Sequence, residues 1–377
     1  MPDRHPRVLL DATAIPEDRG GVGRYVEDLL PALVAIGVPV TVLCQERDEA
    51  AFLATGAATI TAPRWTTRRP LRLLWEQFGV TSAARRTGAR VIHSVHYTFP
   101  LISRHPRVVS VHDLTFFTHP EVHTRVKRAF FGSWIRLAGA LRLAVVVPSR
   151  ATGEEYVRIT RADRRSVSVA PHGHDPEMFH PPTEAEVRAF RDDHAVAASW
   201  IAFLGTIEPR KNVQALVTGF ERAFADDPDA PALLLAGGPG WGDPIDPQVD
   251  HARARGLDVR RLGYLPAEQL RAFLAGATVV AYPSLGEGFG LPVLEAMAAG
   301  ACVLTTRALA LPEVGGDAVA YTGTDPESIA AALRDLVSSQ ARREELRRLG
   351  VERAAHFTWA DAARLHAEAY ASAARAR

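Results

Sequence analysis

The sequence has only two cysteines in 377 residues, Cys44 and Cys302, each inside an apolar run. Two such residues exclude a disulfide framework and a cysteine metal cluster, and they suit a reducing compartment. Long apolar runs are also missing. None approaches the ~20 residues that a membrane-spanning helix needs. The opening stretch, MPDRHPRVLLDAT, passes from polar residues straight into a strand-like run and lacks the apolar core and cleavage site of a signal peptide. A cytoplasmic location is expected. Charge of one sign is not in excess either: 44 basic and 43 acidic side chains leave a net +1, which gives no global drive toward nucleic acid. No Asp-x-Asp appears in a credible cleft position, and Asp192-Asp193 and Asp226-Asp227 read as exposed turns. No metal site is expected.

What the chain does have is a regular alternation. Short apolar runs recur with helical stretches between them. In the first half they are residues 7–10, 38–43, 90–94, 107–112, 144–148 and 166–170. In the second half they are residues 200–204, 232–236, 259–262, 278–281, 301–305 and 318–321. Most are continuous rather than alternating, the pattern of parallel strands covered on both faces. The helical stretches carry a 3.6-residue period, as in Val26, Leu29, Leu30 and Leu33. Together they predict an α/β protein of two Rossmann-like, doubly wound domains. The run MFHPPTE contains Pro181 and Pro182, which break regular structure. It sets the expected boundary, with an N-terminal domain over 1–180 and a C-terminal domain over 181–358. The alanine-rich stretch 359–377 reads as a closing helix.

Four motifs carry chemistry. Gly20-Gly21-Val22-Gly23 lies after the first strand, where glycine permits close approach of a ligand to a helix N-terminus; a tight turn is the competing reading. His112-Asp113 ends a strand, where open α/β sheets place ligands, although Asp is also a common helix cap. The run Gly205 to Asn212, GTIEPRKN, sets Arg210 and Lys211 at another strand end. Arg offers two parallel hydrogen bonds and Lys a point charge, which suits a diphosphate. The strongest is SLGEGFGLPVLEAMAAG, residues 284–300. Glu287 lies in a glycine-rich loop and Glu295 on the helix that follows, amid apolar residues where an unpaired carboxylate is costly.

The order of these motifs resembles the family-four retaining glycosyltransferases of the GT-B fold, in which two such domains face each other across a cleft. PRKN together with EGFGLPVLEAMA carries the resemblance, and VHDLTFFTHPE looks like the bacterial mannosyltransferase and rhamnosyltransferase branch. The resemblance implies a donor site in the C-terminal domain. Arg210 and Lys211 would hold the donor diphosphate next to Gly205. Glu295 would bind the ribose. Glu287 would bind the transferred sugar, with Gly288, Phe289, Gly290 and Leu291 beside it. The base would rest near Gly263, Tyr264 and Leu265. Gly21 would approach the phosphate from the N-terminal domain, His112 would face the sugar, and the last helix would cross back onto that domain. His112, Glu287, Arg210 and Lys211 are the expected catalytic set.

The resemblance also implies transfer of a hexose from a nucleotide sugar, GDP-mannose favoured, to a hydroxyl with retention and without a metal. A dTDP- or UDP-sugar with a small natural-product acceptor, and an epimerase of the same architecture, are the alternatives. The turn Thr306-Arg307-Ala308-Leu309-Ala310 departs from the polar turn of relatives, and Arg307 is a candidate phosphate contact. A nicotinamide enzyme is excluded because Gly21-Val22-Gly23 is not followed by the third glycine of that fingerprint. The segment Arg64–Trp75, with four arginines and two tryptophans, suits an anionic lipid-linked acceptor or a membrane surface. A solvated loop leading into a packed helix is the other reading. The oligomeric state is left open.

Overall fold

The structure, a computed structural model, describes residues 5–17, 20–196, 199–242 and 244–376. They form two compact units, one of residues up to Gly173 together with the stretch from Thr358, the other His174–Phe357. The break lies upstream of Pro181-Pro182. The reason is packing: Phe179 and Met178 belong to the second core, so the chain has already entered that unit before the prolines.

The first unit is a parallel sheet of β1 (Val8–Asp11), β2 (Val40–Cys44), β3 (Ala58–Thr61), β4 (Val91–Ser94), β5 (Arg107–Ser110), β6 (Ala144–Val147) and β7 (Val167–Val169). Their spatial order is β3-β2-β1-β4-β5-β6-β7. β1 sits between β2 and β4, with Leu10 opposite both Val42 and His93. The order reverses there, so the carboxyl ends of β1 and β4 open a crevice. β3 was not expected from the sequence. Its four residues ATIT are exposed or half-buried throughout, so an edge strand carries no apolar run to read.

The helix Gly20–Ala35 follows β1 and buries Tyr25, Val26, Leu29, Leu30 and Leu33 on one face. Each such aliphatic side chain contributes about 1.5–3 kcal/mol of transfer free energy. The closing helix, Trp359–Arg375, packs on this same unit and buries Ala362, Ala363, His366 and Tyr370 against the sheet.

The second unit is also parallel: β8 (Trp200–Leu204), β9 (Ala232–Ala236), β10 (Val259–Gly263), β11 (Val279–Tyr282), β12 (Val303–Thr306) and β13 (Ala320–Thr322), in the order β10-β9-β8-β11-β12-β13. The reversal lies between β8 and β11. Gly237, just past β9, is required there, because a Cβ would stand 2.1 Å from the Gly205 carbonyl oxygen. Among the described residues no helix is long and apolar enough to cross a membrane.

Candidate functional site

In the second unit the loops after β8 and β11 leave the switch point side by side. After β8 the chain runs through Gly205 to Glu208, then a tight turn Pro209–Lys211. Asn212 takes a left-handed conformation, φ 59°, and the helix Val213–Phe224 begins. Asn tolerates that conformation better than most residues. After β11 the loop 283–290 leads into the helix Leu291–Ala298. Gly290 adopts φ 101°, and a Cβ there would meet Leu311 at 2.8 Å. The loop can turn into the helix only with glycine at this point.

These two loops bring Arg210, Lys211 and Glu287 together. Lys211 Nζ donates to Glu287 Oε1 at 2.7 Å and lies close to the Tyr282 hydroxyl. Its ammonium stands 4.7 Å from the centre of the Tyr282 ring. Arg210 donates through Nη1 to Glu287 Oε2 and to the Gly286 carbonyl at 2.9 Å. Its Nη2 donates to Glu208 Oε1 at 2.6 Å. Ser284 Oγ and Tyr282 Oη donate to Glu287 Oε1 at 2.8 and 3.0 Å. Glu208, Lys211 and Glu287 are all buried.

The electrostatics follow from this packing. Burial raises the Glu287 carboxyl, but Arg210 and Lys211, with hydrogen bonds from Lys211 and Ser284, overcome it and bring the pKa down to about 2. Burial lowers the Lys211 ammonium against the pull of Glu287. Burial, reinforced by the Glu287 charge, raises the Tyr282 phenol. Two formal cations thus face two formal anions, and the cluster is close to neutral.

This modifies the expected roles. Glu287 was expected to offer its oxygens to a sugar, yet Oε1 already accepts from Lys211, Ser284 and Tyr282. A carboxylate oxygen offers about two lone pairs, so Oε1 is saturated and the acceptor capacity for a ligand lies on Oε2. The Arg-Lys pair is a clamp held in place by carboxylates rather than an open one. Glu208, Tyr282 and Ser284 were not singled out from the sequence. Glu208 lay in plain view next to Pro209, but nothing in the motif says that it would fold back onto Arg210.

Glu295 lies on the inner side of the helix Leu291–Ala298 and is buried with its neighbours. Phe289 is buried against Phe357, with ring centres 5.8 Å apart. Tyr264 projects from the turn after Gly263 and is 74% exposed. Arg307 stacks on the Tyr321 ring, 4.0 Å from its centre, which gives this arginine a structural partner.

Gly21 and His112 stand in the first unit. Gly21 lies in the first turn of its helix, and a Cβ there would meet nothing within 4 Å. Folding of this unit therefore does not demand a glycine at 21. His112 Nε2 lies 2.7 Å from the Val95 carbonyl and donates to it, which leaves Nδ1 as the lone-pair nitrogen. Burial lowers its pKa, against the opposing effects of Val95 and Asp113. Asp113 accepts from the Thr115 amide and hydroxyl, at the entry to the short helix Thr115–Thr118.

Behind His112 lies a buried chain of hydrogen bonds whose direction is fixed at one end. His366 Nδ1 is 2.7 Å from the Ala362 carbonyl and can only donate there. Its Nε2 must then accept from Tyr25 Oη at 2.6 Å. Tyr25 in turn accepts from Ser110 Oγ at 3.0 Å, and Ser110 accepts from His93 Nε2 at 2.8 Å. His93 Nδ1 accepts from Tyr370 Oη at 2.8 Å. Both ends of the chain, Ala362 and Tyr370, are on the closing helix. The Tyr25 ring stands edge-on to His112 with centres 4.9 Å apart.

Comparisons with known proteins bear on both units. Residues 198–339 match the family model described as Glycosyl transferases group 1, and residues 19–178 match Glycosyltransferase Family 4. O-antigen chain mannosyltransferase B of Escherichia coli is 29% identical over 256 residues, which are 67% of this chain and 66% of that protein. A D-inositol 3-phosphate glycosyltransferase of Stackebrandtia nassauensis is 32% identical over 298 residues, 74% of this chain and 62% of the relative. The matched stretch therefore spans less than two thirds of these relatives' length. Among solved structures, the HepE protein of Anabaena in complex with UDP-glucose is similar with a TM-score of 0.76 at 17% identity, covering 98% of this chain and 100% of that one. This likeness shows the GT-B fold.

Proposed function

Because the chain belongs to the family-four glycosyltransferases, we propose that it moves a hexose from a nucleoside diphosphate donor to a hydroxyl acceptor with retention of anomeric configuration and without a divalent metal. The observation that carries this reading is the buried Arg210–Lys211–Glu287 cluster at the carboxyl ends of β8 and β11. Donor cleavage builds negative charge on the departing diphosphate, and fixed cations stabilise it without reorganisation at the moment of reaction. Arg210 and Lys211 supply those cations. Glu287, Glu208, Ser284 and Tyr282 hold them oriented, and Glu287 Oε2 keeps capacity for one sugar hydroxyl.

Glu295 is assigned to the ribose, the turn Gly263–Leu265 to the base, and the loop Gly288–Leu291 to the sugar and phosphates. His112 is assigned to the transferred sugar, and its neutral, Nε2-protonated form makes Nδ1 an acceptor for a sugar hydroxyl. No carboxylate is assigned below the anomeric carbon, so the departing phosphate oxygen takes the acceptor proton in a same-face substitution. Mannose as the transferred sugar and GDP as the carrier are favoured. The mannosyltransferase from Escherichia coli supports the sugar, and the similar structure that holds UDP-glucose supports a nucleotide-sugar donor.

The test is nuclear magnetic resonance of the anomeric proton during turnover of GDP-mannose and UDP-glucose with a panel of glycosyl and lipid acceptors, with and without EDTA. An α-linked product from an α-linked donor, unaffected by EDTA, is expected. An inverted product, or turnover abolished by EDTA, overturns the mechanism, and acceptor-independent epimerised donor replaces the transferase reading.

A further inference from the structure

Charge is unevenly placed in the first unit. From residue 51 to residue 112 the sequence carries nine arginines and one glutamate, within a chain of net +1. That glutamate, Glu76, is fully buried, so the surface contributed by this segment presents arginine and no carboxylate. Arg68, Arg69, Arg85, Arg86 and Arg104 are exposed. Arg64 meets Glu46 at the surface, at 2.6 Å.

Apolar side chains face solvent in the same place. The helix Arg69–Trp75 continues through a wider turn, Glu76–Val80. Leu71, Leu74 and Phe78 recur along it at the spacing of one helix face, with Leu74 62% and Phe78 63% exposed. Trp65, on the turn before, is 48% exposed. The loop after β4 adds Leu101 and Ile102, the latter 70% exposed. Gln77 joins the two segments, since its side chain accepts from the Leu101 amide at 2.8 Å and donates to the Phe99 carbonyl at 3.5 Å. One exposed leucine is ordinary, but a contiguous set rimmed by polar groups marks an interaction surface.

The inner side of the helix is fixed. Arg72 donates to Glu76 at 2.7 Å, and Thr98 donates to the same carboxylate oxygen at 2.8 Å. Of the four arginines in Arg64–Trp75, Arg72 is therefore interior and serves to hold the outward face rigid.

We propose that this face docks on an anionic lipid bilayer. Leu71, Leu74, Phe78 and Ile102 enter the boundary between headgroups and acyl chains, and Arg68, Arg69 and Arg104 lie among the headgroup phosphates. Charge complementarity selects this occupant: Arg68, Arg69 and Arg104, exposed on a segment whose one carboxylate is buried, match an extended sheet of anions, and arginine stems reach along apolar surface while their heads stay wet. Leu71, Leu74 and Ile102, three of the four inserting side chains, are aliphatic and suit hydrocarbon better than the faces of nucleic acid bases, which call for aromatic platforms. The docking stands independently of the donor assignment.

The test is flotation of the full chain with vesicles of phosphatidylcholine alone and of phosphatidylcholine mixed with phosphatidylglycerol, at low and high salt. Leu74→Ser/Phe78→Ser and Arg68→Gln/Arg69→Gln are run alongside, with circular dichroism melts as the folding control. The chain is expected to float with the anionic vesicles only and to lose about tenfold in partitioning in either double variant at unchanged melting temperature. The arginine variant is expected to be the less salt-sensitive of the two. Absence of binding to anionic vesicles overturns the proposal, as do variants that bind like the parent. A lipid-free dimer abolished by Leu74→Ser/Phe78→Ser would mean that a second copy covers the face, and displacement from vesicles by single-stranded RNA would mean a nucleic acid partner.

Discussion

The phenol of Tyr25 donates a hydrogen bond to Nε2 of His366, 341 residues later, at 2.6 Å. Tyr25 lies on the first helix of the chain and His366 on the last, so this bond ties the two ends of the sequence together inside one core. Tyr25→Phe keeps the ring against His112 but leaves His366 Nε2 without its donor and removes the acceptor of Ser110. Buried groups left unsatisfied cost about 1–3 kcal/mol. Urea unfolding of the first unit is expected to shift by that amount, and an unchanged midpoint would contradict the directed chain.

The burial of the same histidine makes stability pH-dependent. Burial brings His366 down to about 4, below the ~6.5 of an exposed histidine. A lowered histidine contributes stability fully above the unfolded value and loses it as pH falls toward the folded value. Over that window His366 alone accounts for a loss on the order of 3 kcal/mol. Glu76 acts with the opposite sign. Burial, with Asp11 nearby, raises it to about 7, so its contribution is present below the ordinary carboxyl range and is lost as pH rises toward 7. Melting curves of the parent and His366→Gln, compared between pH 4.5 and pH 7 (about the span of these two groups), isolate the histidine. The parent is expected to have the steeper rise in stability with pH.

A substitution at Gly21 tests folding and function separately. A Cβ at 21 meets nothing within 4 Å, and helix positions gain about 0.5–1 kcal/mol when glycine becomes alanine. Gly21→Ala is therefore expected to raise the melting temperature slightly while lowering kcat/KM for a nucleotide sugar by about tenfold or more. Full activity in this variant would remove Gly21 from the donor site. Gly290→Ala, strained by its φ and by Leu311, is expected to lose stability and activity together.

Lys211→Met leaves the Glu287 carboxylate buried with Arg210 as its one remaining cation. Breaking a buried pair from one side costs about 3–5 kcal/mol. Calorimetric melting is expected to show the second unit destabilised by that order. The double change Lys211→Met/Glu287→Leu is expected to recover much of it without recovering donor binding. Recovery of binding would mean that the pair is structural only.

What could be read from the sequence follows from what local patterns record. Continuous apolar runs marked twelve strands, because parallel strands are buried on both faces. The exposed edge strand Ala58–Thr61 has no such run and left no trace. Arg210, Lys211 and Glu287 were legible because they sit in glycine- and proline-marked loops at strand ends. Their pairing was not, because it depends on the neighbour relation of β8 and β11, which sequence order does not state. His366 was invisible for the same reason: a histidine in an alanine-rich helix gives no sign of a tyrosine at position 25. The Pro181-Pro182 signal was real but late, since Met178 and Phe179 had already joined the second core.

The central claim is that Arg210 and Lys211 hold a nucleoside diphosphate. Titration calorimetry of GDP, UDP and dTDP with EDTA present tests it most directly, with Arg210→Ala and Glu295→Ala alongside. Selective binding at a Kd on the order of micromolar is expected, weakened about 100-fold in Arg210→Ala. Binding of no diphosphate, or binding that Arg210→Ala leaves unchanged, would contradict the account.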